Sequence, residues 1–306
     1  MTEPSAAPTW TIGAVLKWAA DDFRARGIEQ PRLDAEVLLG FALQATRVQL
    51  IVDAQRPLVA AELARFRDLV KRRRSREPVA YLLGEREFYG RAFRVDRRVL
   101  VPRPDTEALV EVGLARSAAR SLSARVLDLC TGSGCVAISL ARERPTTRVH
   151  ATDIDPDALR VARENALRLG AYNVGFAEGD LFEGLRAPWG RFDLVVSNPP
   201  YIPSGELAGL PPDVQRFEPR RALDGGTDGL ALLRRIVEGA PRWLARGGAL
   251  AVEVGAGEAP AVAELFDARG FRDVRRTCDY GKIERVVHGV WPAVKRAPAP
   301  DPVTER

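Results

Sequence analysis

The chain is 306 residues long, 46% of them apolar and 28% charged, with a formal net charge of +5. This composition is too apolar for intrinsic disorder, while no apolar run approaches the roughly 18 to 20 residues that span a bilayer. The positive balance suits an acidic macromolecular partner, whether nucleic acid or acidic protein. Cys130, Cys135 and Cys278 form no CxxC pair and leave an odd count. That speaks against a disulfide framework and against zinc, so no metal is expected and a reducing cytoplasm fits. Residues 1–8 hold no basic stretch leading into an apolar one and do not read as a secretory signal.

Residues 1–84 read as a small helical bundle. Ile12, Val15, Leu16, Ala19 and Phe23 share one face of a first helix, as a 3.6-residue period requires. A second helix starts after Pro31, with Asp34 near its start and Val37, Leu38 and Phe41 on its apolar side. A third carries Leu63, Phe66, Leu69 and Val70 and runs into Lys71-Arg72-Arg73-Arg74-Ser75-Arg76. Those cations either oppose the negative end of the helix dipole or form a docking patch. Residues 85–100 read as a hairpin linker, with Phe88-Tyr89-Gly90 and Phe93-Arg94-Val95 flanking a turn. Past Pro102-Arg103-Pro104, Asp105 or Thr106 is placed to cap a helix from Glu107.

From 101 to 292 strands and helices alternate. Strands are expected at 125–129, 149–152, 174–177, 192–196 and 249–254, with closing strands near Val274 and at 285–290. Helices are expected at 135–144, 157–169, 231–244 and 259–268. Such alternation implies an α/β fold of Rossmann-like type, a parallel sheet covered by helices on both faces. Residues 293–306, rich in Pro and Ala, read as a disordered tail.

The first of these strands runs into Cys130-Thr131-Gly132-Ser133-Gly134 and then a helix. Backbone N–H groups and the helix N-terminus face a ligand in such a turn. Gly132 and Gly134 permit close approach, Thr131 and Ser133 add hydroxyls, and Asp128 is a candidate partner for the loop. The spacing is not GxGxxG. Asp153 lies about 20 residues on, at the end of the next strand, where an acid can accept hydrogen bonds from both ribose hydroxyls. Asp155, before Pro156, suits a helix cap. Farther along, Asp180 can accept from an adenine amino group while Leu181 packs against the ring. These residues describe a nucleoside pocket with nothing that favours a diphosphate, and their order fits S-adenosylmethionine better than NAD.

Strand 192–196 leads into Ser197-Asn198-Pro199-Pro200-Tyr201, at a strand's carboxyl end, where α/β sheets bind ligands. Two prolines fix φ and remove two N–H donors, so the loop presents carbonyls. The Asn198 side-chain oxygen and the Pro199 carbonyl make two acceptors for one NH2 group, and Asn198 also borders the cofactor. An amide or aryl-amine lone pair is delocalised and poorly nucleophilic. Acceptors that hold its protons in a bent geometry favour the pyramidal nitrogen of a methyl-transfer transition state. Tyr201 is expected to lie flat against the planar group and aim its nitrogen at a sulfonium methyl. No general base is required, since the alkylated nitrogen is acidic enough to lose its proton to water. Asn198, Pro199, Pro200 and Tyr201 are therefore the expected catalytic residues. His150 and His288 read as packing residues, Arg103 and Glu107 as an ion pair at a helix start or a closure over the cofactor, and residues 224–229 as a loop near the site.

At these residues the chain resembles the class I methyltransferases with an (N/D)PPY motif, and more closely the bacterial peptide chain release factor N5-glutamine methyltransferases. The likeness spans nearly the whole chain. It includes Pro31-Arg32-Leu33-Asp34-Ala35-Glu36, Glu77-Pro78-Val79-Ala80-Tyr81-Leu82-Leu83-Gly84 and Arg86-Glu87-Phe88. It continues through Val101-Pro102-Arg103-Pro104-Asp105-Thr106-Glu107, Ser197 to Ile202, Phe217-Glu218-Pro219 and Asp279-Tyr280-Gly281. The resemblance implies a seven-stranded sheet whose last strand is antiparallel to the rest, with S-adenosylmethionine as methyl donor. It implies as acceptor the glutamine of the Gly-Gly-Gln motif in class I release factors, held partly by the helical domain. The family's cofactor loop commonly begins with Gly where this chain has Cys130, and some relatives carry an aromatic at the position of Leu181. Ribosomal protein L3 glutamine methyltransferases share Asn-Pro-Pro-Tyr and a similar glycine loop, but the Arg-Pro-Asp-Thr-Glu and Asp-Tyr-Gly strings favour the release factor enzymes. DNA adenine-N6 methyltransferases face the same chemistry. No region here resembles a groove-reading module, so sequence-specific nucleic-acid binding is not expected. A binding module without chemistry would leave Asn-Pro-Pro-Tyr unexplained.

Overall fold

The computed structural model describes residues 10–118, 120, 123–185 and 189–292; the expected tail 293–306 lies outside them. The described residues divide into two compact units. The first runs through Arg86 and adds Val95–Arg97 and Leu210–Glu218; the second comprises Glu87–Arg94, Arg98–Gly209 and the described residues from Pro219 onward. Residues 210–218, inside the expected 101–292 segment, thus cluster with the helices.

In the first unit, α1 (Ile12–Ala25) is capped by Thr11, whose side chain accepts the Ala14 N–H, and buries the five apolar residues read from its spacing. The next helix, α2 (Pro31–Leu43), buries Ala35, Leu38, Leu39 and Ala42 and leaves Phe41 50% exposed. The expected face is therefore rotated: Ala35, Leu39 and Ala42 recur at i, i+4 and i+7, and small side chains let helix axes approach. A capping box between Thr46 and Gln49 starts α3 (Arg47–Val52). Phe66, Leu69 and Val70 are buried on α4 (Ala60–Arg74), and α5 (Val79–Leu83) closes the bundle. Several cations of the basic run are held in ion pairs and hydrogen bonds within the helical unit. Arg72 pairs with Glu77 at 2.8 Å and Arg74 with Asp22 at 2.8 Å, while Arg76 donates to the Arg26 and Gly27 carbonyls. Arg73, buried, pairs with Asp34 at 2.8 Å and with Asp213 of the Leu210–Glu218 segment at 3.2 Å.

The expected hairpin forms from β1 (Glu85–Phe88) and β2 (Arg91–Arg94). Tyr89 (φ 49°) and Gly90 (φ 68°) make its two-residue turn, and two positive φ values match the strand twist. A 3₁₀ turn, Pro104–Thr106, leads directly into α6 (Glu107–Ala118). Asp105 and Thr106 lie inside that turn rather than at a cap, because the Thr106 N–H already reaches the Arg103 carbonyl.

The alternating region yields β3 (Arg125–Leu129), α7 (Cys135–Glu143), β4 (Arg148–Asp153), α8 (Pro156–Arg168) and β5 (Val174–Glu178). It continues with β6 (Phe192–Ser197), α9 (Pro212–Phe217), α10 (Ala231–Gly239), β7 (Leu244–Glu253), α11 (Ala259–Arg269), β8 (Arg272–Cys278) and β9 (Glu284–Val290). The seven strands from β3 to β9 form one sheet in the order β5-β4-β3-β6-β7-β9-β8, in which β9 is antiparallel to both neighbours. Successive residues of each central strand enter opposite cores. Val126, Leu194 and Val196 join the face covered by α6 and α7, whereas Leu127, Leu129 and Val195 join the face covered by α10 and α11, as the period of two demands. The helix expected at 231–244 ends at Gly239, because Pro241 cannot continue the ladder. The strand expected from 249 begins at Leu244; Gly247 and Gly248 masked its pattern.

Replacing Arg73 by Met would strand the Asp34 and Asp213 carboxylates. It should lower the stability of the helical unit by about 3 kcal/mol, measured by urea denaturation.

Candidate active site

The chain passes from β3 outward through β4 to β5, then returns to pair β6 on the other side of β3. The switch point of the sheet therefore lies between β3 and β6, where α/β folds open a ligand crevice. Leu129 is in register with Ser197, and the Ser197 hydroxyl donates to the Leu129 carbonyl at 2.9 Å. Cys130 and Asn198 consequently leave adjacent strands side by side. A cavity of about 470 Å³ opens there, within the size range of small-molecule sites.

The glycine loop forms its floor. Gly132 (φ 54°) and Gly134 (φ 82°) are left-handed, and a Cβ built on Gly134 would meet Ile138 at 2.9 Å and Ala162 at 3.2 Å. A Cβ on Gly132 meets nothing within 4 Å, so there the backbone lies bare to a ligand. Cys130 is left-handed as well (φ 58°), which explains why glycine suits that position; burial pushes its thiol upward. Asp128 accepts the Thr131 hydroxyl at 2.6 Å. Burial raises Asp128 to about 7, against the Thr131 hydroxyl and the Ala137 N–H.

Asp153 holds the loop from β4. One oxygen accepts the Gly132 N–H at 2.8 Å and the other the Asp155 N–H at 2.9 Å. Burial raises it, while those two N–H groups lower it. Each carboxylate oxygen retains a second lone pair for a ribose hydroxyl. Asp155 caps α8 through the Asp157 N–H. Asp180 and Leu181 also line the cavity, and Asp180 pairs with Arg235 at 2.9 Å, a partner the sequence did not reveal.

Asn198 and Pro200 line the cavity, whereas Pro199 and Tyr201 are absent from its wall. The Asn198 amide donates to the Thr106 hydroxyl at 3.1 Å, which leaves its carbonyl oxygen as an available acceptor. Tyr201 packs on the core face of α10 and α11 and donates its hydroxyl to Glu253 at 3.3 Å. Its ring is thus held from behind, a constraint not visible in the motif. Residues 224–229 brace the same turn. Ile202 donates to the Leu223 carbonyl and accepts from Gly225, and a Cβ on Gly225 would meet the Tyr201 Cα at 2.7 Å. Gly229 (φ 78°) presses still closer, its Cβ position lying 2.4 Å from the Tyr201 carbonyl oxygen. The function of those glycines is to let one backbone lie on another.

Glu107, His150 and His288 are held by contacts within the fold, while Arg103 faces the cavity. Glu107 accepts the Tyr89 N–H of the hairpin turn at 2.9 Å, and Arg103 lines the cavity. His150 stacks on Trp189 with ring centroids 4.4 Å apart. His288 is enclosed by Arg116 and Thr277, and burial lowers it to about 4, with Arg116 acting in the same direction. Among the described residues no cluster of His, Cys, Asp or Glu could hold a metal, and no helix is long and apolar enough to cross a membrane.

A glycine loop after β3, an acid ending β4 and Asn-Pro-Pro-Tyr after β6, on a seven-stranded sheet with an antiparallel last strand, are the features of a class I methyltransferase. The family model described as "PrmC N-terminal domain" matches residues 14–84, and that described as "Methyltransferase small domain" matches residues 106–208. A release factor glutamine methyltransferase of Geobacter sulfurreducens is 47% identical, covering 92% of this chain and 96% of that protein. Another, of Chlorobaculum tepidum, is 44% identical, covering 90% of this chain and 96% of its own. In fold the chain is similar to a methyltransferase from Pyrococcus furiosus, with a TM-score of 0.50 at 19% identity over 67% of this chain and 91% of that one. The chain belongs to the release factor glutamine methyltransferase family.

Folding raises Asp128 to about 7, above its unfolded range of about 4. Its contribution to stability is therefore full below about pH 4 and lost as pH rises through about 7. Asp128→Asn should gain in melting temperature relative to the unsubstituted chain as pH is raised across that window, which paired thermal melts at several pH values will check.

Proposed function

We propose that this chain transfers the methyl group of S-adenosylmethionine to the side-chain nitrogen of the glutamine in the Gly-Gly-Gln motif of class I peptide chain release factors. The setting is the cytoplasm, with the helical unit gripping the protein substrate and no sequence-specific contact to nucleic acid. The observation that carries this reading is Asn198 at the switch point, its amide nitrogen committed to Thr106 and its oxygen left to a ligand.

S-adenosylmethionine supplies an electrophilic methyl group on a sulfonium. The residues fit it: Gly132 bares the backbone, Asp153 offers acceptors for a ribose, and Asp180 and Leu181 flank the place for an adenine. The acceptor amide is planar, its lone pair spread into the carbonyl. The Asn198 oxygen and the Pro199 carbonyl take its two N–H hydrogens and draw them out of plane, which stabilises a pyramidal nitrogen ahead of attack. Pro199 and Pro200 hold those acceptors rigid, and the Gly225 and Gly229 backbone presses on Tyr201 from behind. The proton of the methylated amide leaves to water.

Asn198→Ala removes one of the two acceptors and should lower the methylation rate by about 100- to 1000-fold with cofactor affinity nearly unchanged. The assay is single-turnover transfer alongside calorimetry with S-adenosylhomocysteine. Labelled cofactor offered separately with release factor, ribosomal protein L3 and duplex DNA should mark the release factor alone. Label on DNA and on neither protein would overturn the glutamine reading.

A further inference from the structure

Asn165 on α8 is 0% exposed, and a polar side chain so deeply buried is costly unless its groups are paired. Its oxygen accepts the Arg94 N–H at 2.7 Å. Its nitrogen donates one hydrogen to the Arg94 carbonyl at 3.0 Å and the other to the Ser133 carbonyl at 2.9 Å. With one N–H and two carbonyls around it, the amide fits in a single orientation. Toward β2 it acts as a neighbouring strand would, taking both backbone groups of Arg94. Toward the glycine loop it gives its remaining hydrogen to one peptide bond.

That peptide is one the loop cannot stiffen with a side chain. Gly134 has to be glycine, since a Cβ there would meet Ile138 at 2.9 Å and Ala162 at 3.2 Å. Its φ of 82° is therefore not enforced locally, because glycine takes either sign of φ. Rotation there, with a compensating turn at Ser133, would flip the Ser133–Gly134 peptide. The Gly134 N–H is held inside the loop by the Thr131 carbonyl at 2.8 Å. The carbonyl of the same peptide is held from outside the loop, by Asn165. Thr131, Gly132 and Ser133 line the cavity, and so do Arg98, Val99 and Leu100, which follow soon after Arg94 in the chain.

We propose that Asn165 is a positioning residue for the cofactor: by tying the Ser133–Gly134 peptide to β2, it keeps the glycine loop in its binding shape before any ligand arrives. The inference rests on the reading of that loop as the floor of the S-adenosylmethionine site. A loop already in its bound shape loses no binding energy to being ordered. Without Asn165 the loop samples peptide-flipped forms. Only the fraction in the right form binds, and the apparent affinity falls by that fraction. Asn165 itself stands outside the cavity wall, so the chemistry of a cofactor once bound is left as it was.

The test uses the full chain, with S-adenosylhomocysteine calorimetry, urea denaturation and steady-state methylation of purified release factor. Asn165→Asp keeps the shape of the side chain and the acceptor for the Arg94 N–H but removes both donors. Asn165→Ala removes all three hydrogen bonds. Each should weaken S-adenosylhomocysteine binding by about 10-fold and raise the KM for S-adenosylmethionine alike, with kcat at saturating cofactor within about 3-fold. Val149→Ala, a core truncation near the start of β4, measures what lost stability does by itself and should leave the affinity within about 2-fold. Nearly unchanged affinity in the Asn165 variants, an equal loss in Val149→Ala, or a kcat that falls as far as the affinity would overturn the proposal. If one Asn165 variant gives no cooperative unfolding transition, the other decides. Failure of the underlying reading looks different: Asp153→Ala would then keep full affinity for S-adenosylhomocysteine.

Discussion

Parallel pairing of β3 with β6, in the register that sets Leu129 beside Ser197, holds together everything that follows. Each strand ends in a loop whose residues are useless apart: a glycine turn with bare backbone, and a proline-stiffened turn with outward acceptors. Side by side they make one crevice. A slip of one residue would carry Leu194 and Val196 to the wrong core and turn Ser197 away from the Leu129 carbonyl. The two cores, interleaved residue by residue along the strands, are what forbid that slip.

Around this crevice acids and arginines are gathered together: Asp128, Asp153 and Asp180 share the cavity wall with Arg98, Arg103, Arg221 and Arg235. Asp128, Asp153 and Glu253 lie at or next to the carboxyl ends of β3, β4 and β7, and all are raised by burial. Groups poised in this way respond to a positive charge brought near them, which favours their ionised forms. A sulfonium is such a charge. The pocket thus offers a cationic ligand carboxyl groups that its arrival would help to ionise, while two of the arginines in its wall, Arg221 and Arg235, are paired with Asp155 and Asp180.

The alternating strands, the glycine loop, Asp153 and the Asn-Pro-Pro-Tyr turn were legible in the sequence because each is a local pattern, either a period of two or 3.6 or a short string at a strand end. What escaped depends on contacts between distant residues. Thr106 meets Asn198, and Glu253 meets Tyr201, over 92 and 52 residues of sequence, and a lone glutamate in an apolar strand carries no hint of direction. Arg235 finds Asp180 only once α10 is laid down. The ion pairs of the basic run 71–76 were hidden because its acidic partners Asp22, Asp34 and Asp213 are far away in sequence. Phe41 misled because a large apolar residue outweighs small ones in any pattern, whereas alanines decide how near two helices come. The Cys130 backbone shows the reverse case: its left-handed φ gives a physical reason for a glycine that the resemblance could only report.

The Leu210–Glu218 segment has a consequence for how the polypeptide is made. Its Asp213 is one of the two carboxylates that satisfy the buried Arg73, so the helical unit, although its helices emerge first, is unfinished until synthesis has passed the Asn-Pro-Pro-Tyr turn. During translation the early helices can collapse on their apolar faces but carry a cation short of one counter-ion. The last part of that unit to arrive comes tethered to the reactive loop. Cutting the gene between the two units would consequently yield an amino-terminal fragment missing a piece of itself, and a carboxy-terminal fragment with a stray helix.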